Sequence, residues 1–237
     1  MNAIDDGISK PSNRIQFRGR RYGRKLRSRM RDLIYERLPK HEIYLDKTEG
    51  QVDPASFFET QMRAHWLEIG FGGGEHLAWQ AKHNCDIGFI GCEPFVNGVA
   101  SLLRHLDGDR PSNVRIFPDD ARPLLDRLPV GCLERIFVLF PDPWPKRRHA
   151  NRRIIQWETV ETFYRILVPG GELRLATDDP RYQAWILTRM TAHVGFRWLA
   201  RCARDWHARP LDWPQTRYEA KAISAGRRPA FLCFERL

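Results

Sequence analysis

The apolar residues of the chain form short runs that alternate with longer amphipathic stretches from about residue 65 onward. The apolar runs predict strands at residues 66–70, 87–93, 114–117, 136–140, 172–178, 196–201 and 230–236. The stretches between them predict helices that end near residue 84 or span 97–106, 121–128, 152–167 and 180–193. Strands that alternate with helices of about 10–15 residues are typical of a doubly wound α/β sheet. The uninterrupted run at 136–140 further predicts a central strand that is covered on both faces.

Two segments lack a clear periodicity. Residues 32–64 have a mixed composition and predict no definite element. Residues 203–228 connect the last two predicted strands and are equally irregular. A segment of this length is either a functional loop or contains a helix that the pattern does not reveal.

The composition is that of an ordinary globular protein, with 42% hydrophobic residues in a chain of 237. No run of about 18 apolar residues occurs, so we expect no membrane span. The first thirty residues are polar and basic without an apolar core, which predicts no secretory signal and a cytoplasmic location. The five cysteines are scattered and never form a Cys-x-x-Cys pair, so we expect neither a metal site nor a disulfide framework.

The positive charge is concentrated near the N-terminus. The formal net charge is +10, and residues 10–40 hold twelve Lys or Arg against two acids, which leaves 27 basic and 27 acidic residues elsewhere. Aromatic and apolar residues such as Phe17, Tyr22 and Leu26 are interspersed among the arginines. A localised basic block is typical of a segment that binds a polyanion, although a solubilising tail has a similar composition. We therefore predict a basic arm at residues 1–37 and one domain at residues 38–237.

A glycine-rich turn follows the first predicted strand. The sequence EIGFGGGE at residues 68–75 places glycines at Gly70, Gly72 and Gly74, which permits a tight turn and a close approach of the backbone to a ligand. A dinucleotide fingerprint requires a third glycine where Glu75 stands, and an anion there opposes a pyrophosphate. The spacing Glu-x-Gly-x-Gly-x-Gly instead resembles the first motif of class I S-adenosylmethionine-dependent methyltransferases. An ordinary turn remains the alternative interpretation.

Acidic residues stand at the ends of successive predicted strands, where an open α/β sheet binds its ligands. Glu93 lies 23 residues after Gly70 and can accept hydrogen bonds from two ribose hydroxyls. Asp120 follows the third strand and can accept from an adenine amino group, although Asp119 beside it is an equal candidate by position. Glu68 lies where its charge would complement the ammonium of such a cofactor. Helix caps are the alternative role for these acids.

The fourth predicted strand runs directly into a rigid acidic segment. Asp142 is enclosed by Pro141 and Pro143, which fix their own φ angles and restrict the preceding residues. We expect this carboxylate to stand over the same crevice as the glycine turn. A second cationic group follows, formed by Lys146, Arg147, Arg148, Arg152 and Arg153. A positive rim around an acid suits an anionic polymer that carries a base rich in hydrogen-bond donors.

Six segments, in order, resemble the tRNA (guanine-N7-)-methyltransferase family of the bacterial single-chain type. They read LEIGFGGG, GCEPF, DDARPLL, FPDPWPKRRHANRR, LATD and TRYE, and the resemblance covers about residues 38–237. It implies a Rossmann-like class I methyltransferase sheet, mostly parallel with an antiparallel C-terminal strand. It also implies S-adenosyl-L-methionine as methyl donor, N7 of guanine 46 in the tRNA variable loop as acceptor, and a monomer or homodimer without an obligate protein partner.

The resemblance assigns roles to individual residues. It implies that Glu68, Glu93, Asp120 and Asp142 contact the cofactor and that Asp142 is the active-site residue. It implies substrate contacts at Lys146, Arg148, Arg152, Arg153, Asp178, Thr216, Arg217, Tyr218 and Glu219. The chain departs from the family pattern at Asn151, at Asp179-Pro180 and at Lys221-Ala222.

Three alternative functions share parts of these features. An NAD(P)-dependent oxidoreductase shares the fold class but is disfavoured by Glu75. A methyltransferase that acts on another RNA, or on an amino group of DNA or protein, shares the cofactor motif. The amino-methyltransferases usually carry the motif Asp/Asn-Pro-Pro-aromatic. In this chain Asp142 is followed by Pro-Trp-Pro instead, which disfavours that class. A non-catalytic RNA-binding protein with a relic cofactor fold is the third, and the complete set of acids at the strand ends argues against it.

Overall fold

The structure, a computed structural model, describes residues 19–45, 50–106 and 113–237. In this part of the chain seven strands form one sheet. They are β1 (Ala64–Ile69), β2 (Ile87–Cys92), β3 (Val114–Phe117), β4 (Leu133–Leu139), β5 (Leu167–Thr177), β6 (Phe196–Trp198) and β7 (Ala230–Arg236). Their order across the sheet is β3-β2-β1-β4-β5-β7-β6.

The first five strands are parallel, and β7 lies antiparallel between β5 and β6. This confirms the predicted doubly wound α/β sheet with an antiparallel C-terminal strand. The chain first builds outward from β1 to β3 and then returns to place β4 on the other side of β1. The carboxyl ends of β1 and β4 therefore form the switch point at which open α/β sheets bind ligands.

Helices connect the strands and cover both faces of the sheet. They are α1 (Ser28–His41), α2 (Glu75–His83), α3 (Val96–His105), α4 (Arg122–Arg127), α5 (Trp157–Ile166), α6 (Pro180–Ala192), α7 (Ala203–His207) and α8 (Arg217–Ser224), with short 3-10 turns at Pro54–Phe57 and Arg147–Arg152. Among the residues that the structure describes, no helix is both long and apolar enough to cross a membrane.

Several elements differ from the sequence prediction. Strand β4 begins three residues earlier than expected, at Leu133, and β6 ends three residues earlier, at Trp198. The helix expected at 152–167 begins at Trp157, because Arg147–Arg152 forms a separate 3-10 turn. The strand expected at 172–178 begins earlier, because Leu167 already pairs with Leu133 before the register shifts. The irregular segment 203–228 contains two short helices, α7 and α8.

Helix α1 was not predicted. It packs against α3 and β3, and Leu33 on its inner face is buried while Tyr35 is exposed. The helix extends across residue 37, which was the predicted end of the basic arm, so a separate arm at residues 1–37 stays a prediction. Residues 1–18 of that arm lie outside the described residues.

Strand β4 illustrates how the core is divided by the sheet. Ile136 and Val138 belong to the apolar cluster on one face, whereas Phe137 and Leu139 belong to the cluster on the other. Ile136, Phe137 and Val138 are all buried. A strand with both faces covered reads as a continuous apolar run, which confirms the prediction from residues 136–140.

Candidate active site

A cavity of about 370 Å³ opens at the switch point of the sheet. Its walls come from the carboxyl ends of β1, β2 and β4 and from the loops that follow them. Five of the predicted site residues that line it are Gly70, Gly72, Glu93, Asp120 and Asp142. Chain segments distant in sequence thus form one concave site, as the positions of their motifs after successive strands predicted.

The glycine turn between β1 and α2 has the conformation that its glycines permit. Gly70, Gly72 and Gly74 have φ angles of 71°, 55° and 80°, in the left-handed region that residues with a side chain rarely adopt. The Gly70 amide donates to the carbonyl of Cys92 at 2.8 Å, which joins the turn to the end of β2. The strand–turn–helix arrangement at this motif is confirmed.

Glu93 joins the glycine turn to the start of α3. Its Oε2 accepts a hydrogen bond from the Gly72 amide at 2.7 Å, and its Oε1 accepts one from the Phe95 amide at 2.9 Å. Burial raises the pKa of this carboxyl to about 7, although the two amides favour the ionised form. Each carboxylate oxygen has a second lone pair, so Glu93 retains acceptor capacity for ligand hydroxyls.

The two acids after β3 face different partners. Asp120 lines the cavity, and its Oδ2 forms an ion pair with Arg122 at 2.6 Å. Asp119 does not line the cavity; its Oδ1 pairs with Arg21 of the N-terminal segment at 2.5 Å. Asp120 is therefore the candidate for a ligand contact, in agreement with the residue that the family resemblance implies.

Asp142 projects into the cavity from a strained loop. The residues on either side of its proline pair, Phe140 and Trp144, have φ angles of 50° and 43°. Such left-handed residues cost about 1–3 kcal/mol each and cluster at functional sites. Within the described residues no donor or cation contacts the Asp142 carboxylate. Its side chain is exposed at the mouth of the cavity, and desolvation by the surrounding wall raises its pKa. The Asp142 carboxylate therefore keeps its hydrogen-bond acceptor capacity for a ligand, while the strained loop holds it in place.

The cationic segment after Asp142 divides into outward and inward residues. Lys146 and Arg148 are exposed, and Arg152 lies with its guanidinium 4.9 Å from the ring centroid of Trp144. Arg153 is only 7% exposed, and its Nε donates to the carbonyl of Pro143 at 2.8 Å. The first three residues can reach an external polyanion, whereas Arg153 is enclosed behind the loop.

The TRYE motif begins helix α8. Thr216 caps the helix, and its hydroxyl oxygen accepts from the Glu219 amide at 3.2 Å. Glu219 is buried and pairs with Arg209 at 3.1 Å, while burial raises its pKa. Tyr218 lines the cavity and packs on Gly72, and Arg217 lies over the Tyr218 ring. Of the four residues in the motif, Tyr218 reaches the cavity.

Two further predicted contact residues, Glu68 and Asp178, also lie outside the cavity wall. Glu68 is buried below the glycine turn and accepts a hydrogen bond from Nδ1 of His76 at 2.7 Å. Asp178 follows β5 and pairs with Arg227 at 2.6 Å. Asp179 and Pro180, where the chain departs from the family pattern, form the start of α6. Asp179 caps the helix and Pro180 occupies its first turn. Ligand contacts by Glu68 and Asp178 stay predictions.

The N-terminal segment supplies cavity residues that the sequence did not indicate. Gly19 and Arg20 line the cavity, the Arg21 carbonyl accepts from the Val96 amide at 2.9 Å, and the Gly23 amide donates to Oδ1 of Asn97 at 2.8 Å. These bonds hold the basic segment along the start of α3. Nothing in the local sequence of residues 19–24 indicates this distant contact.

The chain was compared with known proteins. Residues 62–232 match a family model described as "Putative methyltransferase". The chain is 49% identical to the tRNA (guanine-N(7)-)-methyltransferase of Rhodospirillum rubrum, covering 96% of this chain and 90% of that protein. It is 50% identical to the protein of the same name from Paramagnetospirillum magneticum, covering 95% and 94% of the two chains.

A solved structure supports the fold. The 16S rRNA methyltransferase KamB superposes with a TM-score of 0.56 and 14% identity, covering 81% of this chain and 96% of that one. At this low identity the likeness concerns the fold alone. The family is established by the two sequence relatives, which share about half of their residues with this chain over nearly its full length. The chain belongs to the tRNA (guanine-N(7)-)-methyltransferase family.

Proposed function

We propose that this chain transfers a methyl group from S-adenosyl-L-methionine to N7 of guanine 46 in the variable loop of tRNA, as a monomer or homodimer without an obligate protein partner. The observation that carries the proposal is a cavity that joins the glycine turn and Glu93 to the Asp142 carboxylate, which has no protein donor among the described residues. Sequence relatives of the chain that bear this activity in their name support it.

The cavity suits a nucleoside without phosphate groups. The Glu75 carboxylate packs against the glycine turn, since its Oε1 lies 2.6 Å from the position that a Cβ on Gly73 would occupy. A pyrophosphate would need free amide donors at this place and would be repelled by the carboxylate. The buried Glu93 offers acceptor positions for ribose hydroxyls, and Gly72 leaves room for Tyr218 beside the turn. These features disfavour an NAD(P)-dependent oxidoreductase and fit S-adenosyl-L-methionine.

The chemistry requires positioning more than proton transfer. S-adenosyl-L-methionine, when bound, supplies an electrophilic methyl group on a sulfonium. N7 of guanine carries an in-plane lone pair and no proton, so the protein needs no general base. The chain must hold the base in line and exclude other orientations, which can contribute several kcal/mol. The base must be turned out of the folded tRNA to reach the cavity.

Asp142 can provide the remaining stabilisation. Methylation makes the guanine cationic, so its N1–H and N2–H groups become stronger donors. A fixed carboxylate that accepts from this edge binds the transition state more tightly than the ground state. Asp178 and Glu219, for which the resemblance implies substrate contacts, are each paired with an arginine. Asp142 is therefore our candidate for the catalytic acceptor.

Two cationic segments flank the cavity and fit the tRNA backbone. Arg20 lines one side, and exposed Arg24, Lys25 and Arg27 continue from it. Trp144 and Arg152 line another part of the wall, and exposed Lys146 and Arg148 lie in the same loop. Phosphate contacts of this kind fix the register of a nucleic acid and leave recognition to the base.

The proposal is tested by incubating the purified chain with labelled S-adenosyl-L-methionine and bulk tRNA, followed by nucleoside analysis. We expect the label in 7-methylguanosine, and a tRNA transcript with adenine at position 46 should accept none. Label in a different nucleoside would assign another methyltransferase activity to the chain. No label in any nucleoside, with cofactor bound, would contradict the proposed function altogether.

The raised pKa of Glu93 predicts pH-dependent cofactor binding. Its carboxyl is largely protonated below pH 7 and ionised above it, because burial raises the pKa to about 7. Ribose hydroxyls donate more strongly to the carboxylate, so affinity for S-adenosyl-L-homocysteine should rise about tenfold between pH 6 and pH 8. Titration calorimetry measures this change. Glu93→Gln should bind weakly without that pH dependence, and a pH dependence that persists in this variant would contradict the assignment.

The exposed cations at the N-terminal segment predict salt-dependent tRNA binding. Replacing Arg24, Lys25 and Arg27 together by glutamine should weaken binding and reduce the slope of log K against log salt by up to about 2–3. A matched triple variant uses Arg197, Arg201 and Arg204, which lie on or after β6 at the opposite edge of the sheet. An equal loss of slope in both triple variants, measured by filter binding, would show that only overall charge matters.

A further inference from the structure

Arg153 is an enclosed arginine directly behind the loop that carries Asp142. It is 7% exposed, and its guanidinium lies 4.4 Å from the ring centroid of Trp185 and 5.3 Å from that of Tyr182, both on α6. No acidic side chain pairs with it in the part of the chain that the structure describes. The family resemblance implied a substrate contact for this residue, but its side chain is turned into the protein.

The guanidinium binds the backbone of the Asp142 loop at two consecutive residues. Nε donates to the carbonyl of Pro143 at 2.8 Å, and Nη2 donates to the carbonyl of Trp144 at 3.3 Å. Pro143 directly follows Asp142, and Trp144 is one of the two left-handed residues of the loop. Arg153 therefore contacts the backbone immediately after the candidate catalytic acceptor.

The composition of the loop explains why an external donor is needed. Prolines at positions 141, 143 and 145 have no N–H group, so the loop can form few backbone hydrogen bonds of its own. Buried carbonyls without donors are costly. The planar fork of a guanidinium can satisfy two carbonyls at once, and its faces can stack on aromatic rings, which an ammonium cannot do in the same way.

We infer that Arg153 is a positioning residue, which holds the Asp142 carboxylate in the cavity through the carbonyls of Pro143 and Trp144, and that it does not bind tRNA phosphate. This inference rests on the proposed function of Asp142. Arg153 does not contact the Asp142 carboxylate itself, because its two hydrogen bonds within the described residues go to the carbonyls of Pro143 and Trp144. The effect passes through the backbone.

Two other arginines provide matched comparisons. Arg189 is also buried, and its guanidinium stacks on the same Trp185 and on Trp157, but its hydrogen bond goes to the Trp185 carbonyl within its own helix. It therefore reports the general cost of disturbing the arginine–aromatic cluster. Arg148 is exposed in the same cationic segment and reports what the loss of a phosphate contact does.

The test compares Arg153→Lys, Arg189→Lys and Arg148→Gln in steady-state methylation of tRNA. Arg153→Lys should lower kcat about 10²-fold, the size of effect expected from misplacing a reacting group by about 1 Å. Its KM for tRNA and its salt slope should stay close to wild type. Arg189→Lys should keep kcat, whereas Arg148→Gln should raise KM and lower the salt slope by roughly 0.7–0.9.

Amide hydrogen exchange on the free protein gives a second readout that does not depend on methyl transfer. A peptide covering residues 137–150 includes the Phe140 amide, which donates to the carbonyl of Ala176, and the His149 amide, which donates to the carbonyl of Lys146. These two amides flank the loop and should exchange faster in Arg153→Lys than in wild type or Arg189→Lys. This readout stands even if nucleoside analysis rejects the proposed function, so the two failures can be told apart. Arg153→Gln, which keeps a neutral donor, provides a second variant and should show the same faster exchange.

Three results would overturn the inference. One is a raised KM with an unchanged kcat in Arg153→Lys, which would identify a phosphate contact. Another is unchanged exchange at residues 137–150 in both Arg153 variants. The third is loss of the native circular dichroism spectrum in both variants while Arg189→Lys stays folded, since Arg153 would then support the whole domain and not the loop.

Discussion

Asp142→Asn is expected to lower kcat for tRNA methylation by about 10²–10³-fold, the effect of removing one fixed group that stabilises transition-state charge. The substitution keeps the size of the side chain and the two flanking prolines, so the loop should keep its conformation. It removes the negative charge that would accept from the guanine edge as that base becomes cationic. Because the interaction strengthens in the transition state, affinity for tRNA and cofactor should change little.

The pH dependence of kcat provides an independent check on Asp142. Desolvation by the cavity wall raises the pKa of this carboxyl, and protonation removes its acceptor charge. Wild-type activity should therefore fall as pH decreases through that pKa. Asp142→Asn should lose this acidic limb. Asp126→Asn, an exposed carboxylate on α4, is the matched control and should keep both the rate and the limb. Near-normal turnover in Asp142→Asn would mean that the charge at this position is not catalytic.

The position of the site could be predicted because several signals agree along the chain. The glycine turn, Glu93, Asp120 and Asp142 each follow an apolar run, and parallel strands bring their carboxyl ends to the same edge of the sheet. The prediction required only the order of strands and the local turn chemistry. It did not require knowledge of how any side chain packs.

Helices α1 and α8 were not predicted, although the sequence contains local helix signals in both segments. In α1 the apolar residues Met30, Leu33, Ile34 and Leu38 have helical spacing, yet the surrounding arginines favoured a basic tail. In α8 the residues Thr216 and Glu219 have the spacing of a capping box, and Thr216 does cap the helix. The resemblance had assigned the same residues to substrate binding, which concealed their role in starting a helix.

The separate roles of the arginines could not be predicted from the local sequence. Arg148, Arg152 and Arg153 stand within six residues of one another and carry the same charge. Arg153 turns inward because Tyr182 and Trp185, about thirty residues later, form its aromatic walls. Glu68 is a similar case, since its partner His76 comes from the following helix. Such assignments depend on tertiary contacts that no local pattern encodes.

Gly98→Ala is expected to raise the dissociation constant for the cofactor at least about tenfold. A Cβ at Gly98 would lie 2.3 Å from the carbonyl oxygen of Gly72 and 3.2 Å from Cγ of Glu93. The first neighbour is backbone of the glycine turn and cannot rotate away, so α3 or the turn must shift. Overpacking of this kind costs about 1–3 kcal/mol. Gly98 lies in the first turn of α3, where alanine gains less than the about 1 kcal/mol that it brings to a helix interior, so the overpacking cost dominates.

The same contact predicts how the change divides between stability and binding. Thermal unfolding should show a loss of several degrees for Gly98→Ala, because each kcal/mol corresponds to about 2–4 °C in a chain of this size. Gly50→Ala is the matched control, since no heavy atom lies within 4 Å of a Cβ there. It should leave both cofactor affinity and thermal stability unchanged. Normal affinity in Gly98→Ala would mean that the turn moves freely with α3, and the close approach of Gly98 to Gly72 would then not define the cofactor site.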